Sequence, residues 1–153
     1  MTNLPNYTDY DALGLAELVR KREITPSELK EDALGAIAAL NPELNCVVGD
    51  LSEQAERALD VGLPEGPFTG VPFLIKEIGV QAAGSTFRMG SKLCDGFVSN
   101  ADTELMRRFR RAGLLTIGTT PTPEFGFNPT CESDLHGPTH NPWDLTRSPG
   151  GSS

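Results

Sequence analysis

Basic residues are scarce in this chain. Its 13 lysines and arginines are outnumbered by 21 aspartates and glutamates, leaving a formal charge of −8. Phosphate-rich surfaces would be repelled by that balance, which argues against a general nucleic-acid or membrane-surface binder. Cysteine is scarcer still: Cys46, Cys94 and Cys131 are odd in number and far apart, which gives neither a disulfide framework nor CxxC metal spacing. The three are expected to be reduced and mostly structural. No apolar run approaches the roughly 20 residues of a membrane span. The opening MTNLPNYTDYD is acidic and polar, unlike a signal peptide, so the expected address is the cytoplasm. GxxxxGK[ST], HExxH and a GxGxxG after a strand are all missing, and there is no internal repeat. No cofactor is expected. The 153 residues, 38% of them hydrophobic, suit one ordinary packed domain.

The first part of the chain reads as helical. From Asp11 to Arg22, Leu15, Leu18 and Val19 recur at helical spacing, and Lys21 and Arg22 stand where cations suit a helix C-terminus. Next, TPSE offers Thr25 as N-cap, Pro26 at the first helical position and Glu28 three residues after the cap. That capping box opens a helix expected to end near Leu40, before Asn41-Pro42. A short extended piece, Cys46 to Val48, and a third helix from Ser52 to about Val61 follow, closed by GLPEGP.

GVPFLIKEIG changes the character of the chain. It reads as a strand from Val71 to Glu77, with Val71, Phe73 and Ile75 on one face and Pro72, Leu74 and Lys76 on the other. Both faces are apolar until Lys76, which predicts an interior strand of a sheet covered on both sides and an α/β architecture. Lys76 then stands at the carboxyl end of a buried strand. Glu77 points to the opposite face and is not its obvious ion-pair partner. NADTELMRRFRRAG predicts a helix with Asp102 as cap and Gly113 at its end, and LLTIG (Leu114 to Gly118) the strand after it. The arginines Arg107, Arg108, Arg110 and Arg111 fit a helix C-terminus better than a basic binding patch in so acidic a chain. From Thr119 to Ser153 the chain is proline-rich and loop-like, a length of loop that is usually functional or disordered.

Several chemical readings compete for these loops. HGPTH spaces His136 and His140 like two metal ligands on one helix face, but Pro138 between them would break that helix, and no metal site is expected. GGSS, residues 150 to 153, is either a flexible linker or a place where backbone amides and hydroxyls approach a ligand closely. Lys76 is either a buried structural lysine or a base. A Ser-His-Asp triad stays open on composition, with neither histidine in a pattern that marks it as the base.

Taken together, GVPFLIKEIG, TPEFG and GPTHNPWDLTRSPGGSS resemble the amidase signature family of serine hydrolases, and NPELNCVV looks like that family's opening. The resemblance covers nearly the whole chain. It implies an α/β/α fold with a mixed central sheet covered by helices, of which this chain would be a truncated, N-terminal piece: residues 1–66 a helical N-terminal region and 67–153 the start of the catalytic core. It implies amide hydrolysis by a Ser–cis-Ser–Lys triad through an acyl-enzyme. Carried over by position, Lys76 is the lysine and Ser152 the bridging cis-serine, with Gly150, Gly151 and Ser153 in the same active-site loop. The nucleophilic serine and the oxyanion-hole glycines would lie beyond residue 153, so the piece alone is expected to be inactive. The implied partner is a small-molecule amide, without nucleic acid or membrane, and a homodimer is one open arrangement of the full-length enzyme.

Two departures from the family's pattern stand out. Glu77 replaces the commoner Asp, and GTTPTPEF lacks the usual Lys-Thr-Asn. The amidase-like component of a glutamyl-tRNA amidotransferase shares these motifs, as an alternative enzyme reading, although Met-Asp-Glu-Phe is usual there where this chain has Thr-Pro-Glu-Phe. A non-catalytic binding module is the remaining alternative. The chemistry expected of the triad is coherent: apolar surroundings disfavour a charged amine, so Lys76 could act as a general base near neutral pH. A serine hydroxyl both donates and accepts, so Ser152 could relay a proton.

Overall fold

The computed structural model describes residues 3–152. Helix α1 (Ala12–Lys21) starts where the Asp11 carboxylate accepts from the Gly14 amide at 2.7 Å, and it ends at Arg22 in the left-handed region. Helix α2 (Pro26–Leu44) opens with the expected capping box: Thr25 Oγ1 accepts from the Glu28 amide, and Glu28 reaches back to the Thr25 amide at 2.8 Å. It does not stop before Asn41-Pro42 but continues to Leu44, with Pro42 inside it. The reason is tertiary. Residues 136–140 are fastened along this last turn: the Asn45 side chain donates to the carbonyls of His136 and Pro138, Thr139 Oγ1 donates to Asn45 O, and the His140 amide donates to Leu44 O. Those bonds offset the one backbone hydrogen bond that Pro42 removes.

Beyond α2 the chain runs into a short strand, β1 (Gly49–Asp50), just after the extended piece expected at Cys46–Val48. The backbone is already paired at Val48, whose amide donates to Thr119 O. Helix α3 (Ser52–Val61) has the expected bounds. Strand β2 (Pro72–Lys76) follows, then helix α4 (Glu104–Arg111) and strand β3 (Leu115–Thr120). Thr103, not Asp102, caps α4 by accepting from the Met106 amide. Asp102 instead accepts from the Ala83 amide and pairs with Arg110. Gly113 closes the helix at φ 88°, where an added Cβ would lie 2.6 Å from Thr69 Cα. A hairpin of two-residue strands, β4 (Glu132–Ser133) and β5 (Gly137–Pro138), is the only pair of strands in the long loop among the described residues.

The main sheet has the order β1-β3-β2, with β1 antiparallel and β2 parallel to β3, and is therefore mixed. Among the described residues β2 is an edge strand, and β3 is the interior one, buried from Leu115 through Thr119. Pro72, Phe73 and Leu74 are only half-buried, and a proline at the start of an edge strand sacrifices no ladder bond.

Both faces of the sheet are nonetheless covered. Leu115 and Ile117 pack with Ala55 of α3 and with Leu34 and Ile37 of α2, joined by Leu74. On the other face Ile75 and Phe73 meet Met106 and Phe109 of α4, with the Phe73 and Phe109 rings edge to face at 5.0 Å. Alternation along β2 thus divides its side chains between two helical layers, giving the α/β/α sandwich. A satellite core of Leu15, Ile24, Leu29 and Val71 seats α1 and the start of α2. None of the described helices is long and apolar enough to cross a membrane.

Three arginines of α4 are spent on their own helix. Arg107, Arg108 and Arg111 all bond Glu104, and their hydrogen bonds, Arg108 first, lower its carboxyl to a pKa of about 2. An NMR titration is expected to place the Glu104 midpoint near pH 2. Because the folded value lies below the ordinary 4.5, the stabilisation from this cluster is present above pH 4.5 and fades as pH falls towards 2. Separately, Leu29→Ala, at a side chain with no solvent exposure, is expected to cost about 2–5 kcal/mol in a denaturant titration.

Candidate active site

Parallel pairing with β3 carries β2 as far as Lys76, opposite Thr120, and there the ladder's last backbone bond runs from the Glu77 amide to Thr120 O at 3.1 Å. Lys76 therefore projects from a strand end, where a scaffold fixes the backbone and a side chain is free to reach a loop. It reaches the Gly/Ser segment. Lys76 Nζ donates to Ser152 Oγ at 2.9 Å, a contact between a half-buried amine and a half-buried hydroxyl. The Gly151–Ser152 peptide bond is cis.

Gly151 sits at φ 118°, a backbone conformation that disfavours any side chain, and a Cβ there would stand 3.7 Å from Cys131 Sγ. Gly150, at φ 78°, has open space around it, and its amide donates to Ser148 Oγ at 3.2 Å. Ser153 lies outside the described residues. Cys131 is buried behind this loop, its Sγ 3.7 Å from Pro121 O. Burial pushes its thiol up, while the charge of Lys76 pulls in the opposite direction, so the amine and thiol share one local field.

The histidines of HGPTH are used otherwise than as a metal pair. His136 donates from Nε2 to Glu77 Oε2 at 2.7 Å, and His140 donates from Nδ1 to Leu145 O at 2.9 Å. Among the described residues no three His, Cys, Asp or Glu side chains converge as metal ligands.

Two features escaped sequence reasoning. The first is a buried cluster on Glu77, whose side chain has no exposure and accepts from Arg88 Nε at 2.8 Å as well as from His136. Alternation along the strand had turned Glu77 away from Lys76, and a carboxylate aimed into the interior requires partners, which was the available signal. Removing one member of such a buried pair typically costs about 3–5 kcal/mol. The second is a clasp between two loops: Ser91 Oγ donates to Glu124 Oε1 at 2.5 Å, and the Phe125 amide to Met89 O at 2.9 Å. Met89 and Phe125 both have positive φ, at 52° and 51°. No sequence pattern announces such a backbone.

The fold, the strand-end lysine and the Gly/Ser loop define a hydrolase-like α/β/α core, and the chain belongs to the Amidase family, whose pattern its residues 28–153 match. It is similar to the 6-aminohexanoate-cyclic-dimer hydrolase of Paenarthrobacter ureafaciens, at 41% identity over 94% of this chain and 29% of that one. It is also similar to a glutamyl-tRNA(Gln) amidotransferase subunit from Acidothermus cellulolyticus, at 35% identity over 93% of this chain and 29% of that one. Among solved structures, a 6-aminohexanoate cyclic dimer hydrolase complexed with substrate superimposes with a TM-score of 0.90 at 38% identity, covering 97% of this chain and 30% of that one. The native peptide amidase of Stenotrophomonas maltophilia does so with a TM-score of 0.81 at 28% identity, over 96% of this chain and 33% of that one. The chain thus spans less than a third of the curated relatives named here.

The burial of Cys131 sets a test of this geometry. Cys131 is expected to react most slowly of the three thiols with iodoacetamide under mildly alkaline conditions, because Cys46 and Cys94 are only half-buried. Peptide mass spectrometry reads the order, and urea should abolish it.

Proposed function

We propose that the protein spanned in part by this chain is an amide hydrolase in which Lys76 is the general base and Ser152 the proton relay. The observation that carries this reading is the 2.9 Å contact between Lys76 Nζ and Ser152 Oγ, made between residues 76 apart in the chain. With the amine neutral, the contact runs in the other sense: the Ser152 hydroxyl donates to Nζ and is free to accept from a second hydroxyl. An attacking serine, supplied by the remaining length of the protein, adds to the amide carbonyl. Its proton moves to Ser152 Oγ while the Ser152 proton moves to Lys76 Nζ.

The tetrahedral oxyanion then collapses and the C–N bond breaks. The leaving nitrogen takes a proton back from the Lys76 ammonium through Ser152 and departs as ammonia or amine. Water enters by the same relay and attacks the acyl-enzyme, releasing the carboxylic acid and restoring the serine. Gly150 and Gly151, at φ 78° and 118°, adopt without strain the positive-φ backbone that carries Ser152 to the lysine.

Similarity to a hydrolase of the 6-aminohexanoate cyclic dimer supports amides of linear or cyclic ω-amino acids as the first substrates to try. Thr-Pro-Glu-Phe at residues 122–125 favours a free-standing amidase over an amidotransferase component, which would need glutamine and partner subunits.

The test is amine or ammonia release by the full-length protein. Lys76→Ala and Ser152→Ala are each expected to lower kcat by about 10²–10⁴-fold, the usual contribution of a positioned proton-transfer group. Wild-type turnover in Lys76→Ala would overturn the reading. Activity only with glutamine and added subunits would support the amidotransferase instead.

A further inference from the structure

Glu77 follows Lys76 directly and takes no part in the Lys76–Ser152 contact. Its fully buried carboxylate accepts from Arg88 Nε at 2.8 Å on one oxygen and from His136 Nε2 at 2.7 Å on the other. Each donor is tied to a further part of the chain. Arg88 also donates to Val48 O at 3.0 Å, and His136 accepts on its carbonyl from Asn45 Nδ2 at 2.8 Å. The Glu77 amide adds the bond to Thr120 O. The linker before β1, the loop carrying Arg88, the β4–β5 hairpin and the end of β3 therefore all converge on the residue next to the lysine.

Resting on the reading of Lys76 as general base, we propose that Glu77 is a positioning residue for amide hydrolysis. Held from three directions, it fixes the backbone at the end of β2 so that the lysine amine meets the relay serine. A lysine side chain is long and flexible, and its amine is delivered to one place only if its Cα is held there. The strand ladder cannot do this alone, because it ends at the pairing of Lys76 with Thr120 and the chain turns away at once, reaching φ 81° at Gly79. Packing is a poor explanation of the cluster. A buried ion pair is often no more stabilising than apolar side chains of equal volume, whereas its hydrogen bonds impose direction.

Steady-state kinetics on the full-length protein test the proposal, with active-site titration counting the competent enzyme. E77Q keeps the shape and removes the charge. It is expected to lower kcat per competent site by about 100-fold, as a misplacement near 1 Å does. KM should stay within about threefold, because only the transition state is affected. E77D restores the carboxylate and is expected to recover most of that loss. Wild-type kcat in E77Q, or a fall accounted for entirely by fewer competent sites, overturns the proposal. Should E77Q fail to fold, H136Q keeps the pair of Glu77 and Arg88 and removes one tether; about tenfold lower kcat at unchanged KM is expected, and wild-type kcat overturns the proposal. K76A separates the two readings: if it is inactive while E77Q is normal, only the role of Glu77 falls, and if K76A turns over normally, the base itself is misassigned.

Discussion

Parallel pairing between β2 and β3 is the constraint on which the rest of this chain depends. Register along the pair sets Lys76 opposite Thr120 and shifts once, between Phe73 and Leu74. Side chains on either side of that register serve different layers: Ile75 and Phe73 belong to the α4 side, Leu74 to the α2 and α3 side. A slip of one residue would exchange the two sets and turn the lysine away from the Gly/Ser loop. Core packing and site geometry are therefore one requirement, imposed by the same short strand.

The loop from Pro121 to Ser152 answers to that constraint from the other direction. It has little secondary structure, yet it is anchored at several depths. Residues 136–140 are bonded to the end of α2, Cys131 is packed beneath Gly151, and Glu124 is held by Ser91. Irregular backbone held this way can present a hydroxyl as firmly as a strand presents an amine. The contact between Lys76 and Ser152 joins a regular element to an irregular one, each held by its own set of contacts.

Local chemistry was legible where it was self-contained. The Thr25–Glu28 capping box, the bounds of α3 and the strand at GVPFLIK rest on side-chain patterns within a few residues, and the structure follows them. Lys76 stood out locally as a lysine ending an apolar strand, but its pairing with Ser152 came only through a family resemblance, because nothing local connects residues so distant in the chain. What was misread depended on partners elsewhere. Pro42 sits inside a helix because residues 136–140 brace it. Thr103 caps α4 because Asp102 is drawn off by Ala83 and Arg110. Glu77 showed as a departure from pattern, but Arg88 and His136 as its partners could come only from the assembled fold.

The place of β3 at the middle of the sheet has a temporal side. Gly49 pairs with Thr119 and Pro72 with Leu115, so among the described residues neither earlier strand has its partner until β3 has been synthesised. Helices α1 to α3 can coil as they leave the ribosome, since their hydrogen bonds are local, but the sheet waits. During that interval the apolar side chains at Phe73 and Ile75 have no sheet to enter, and their protection falls to whatever the nascent chain meets first.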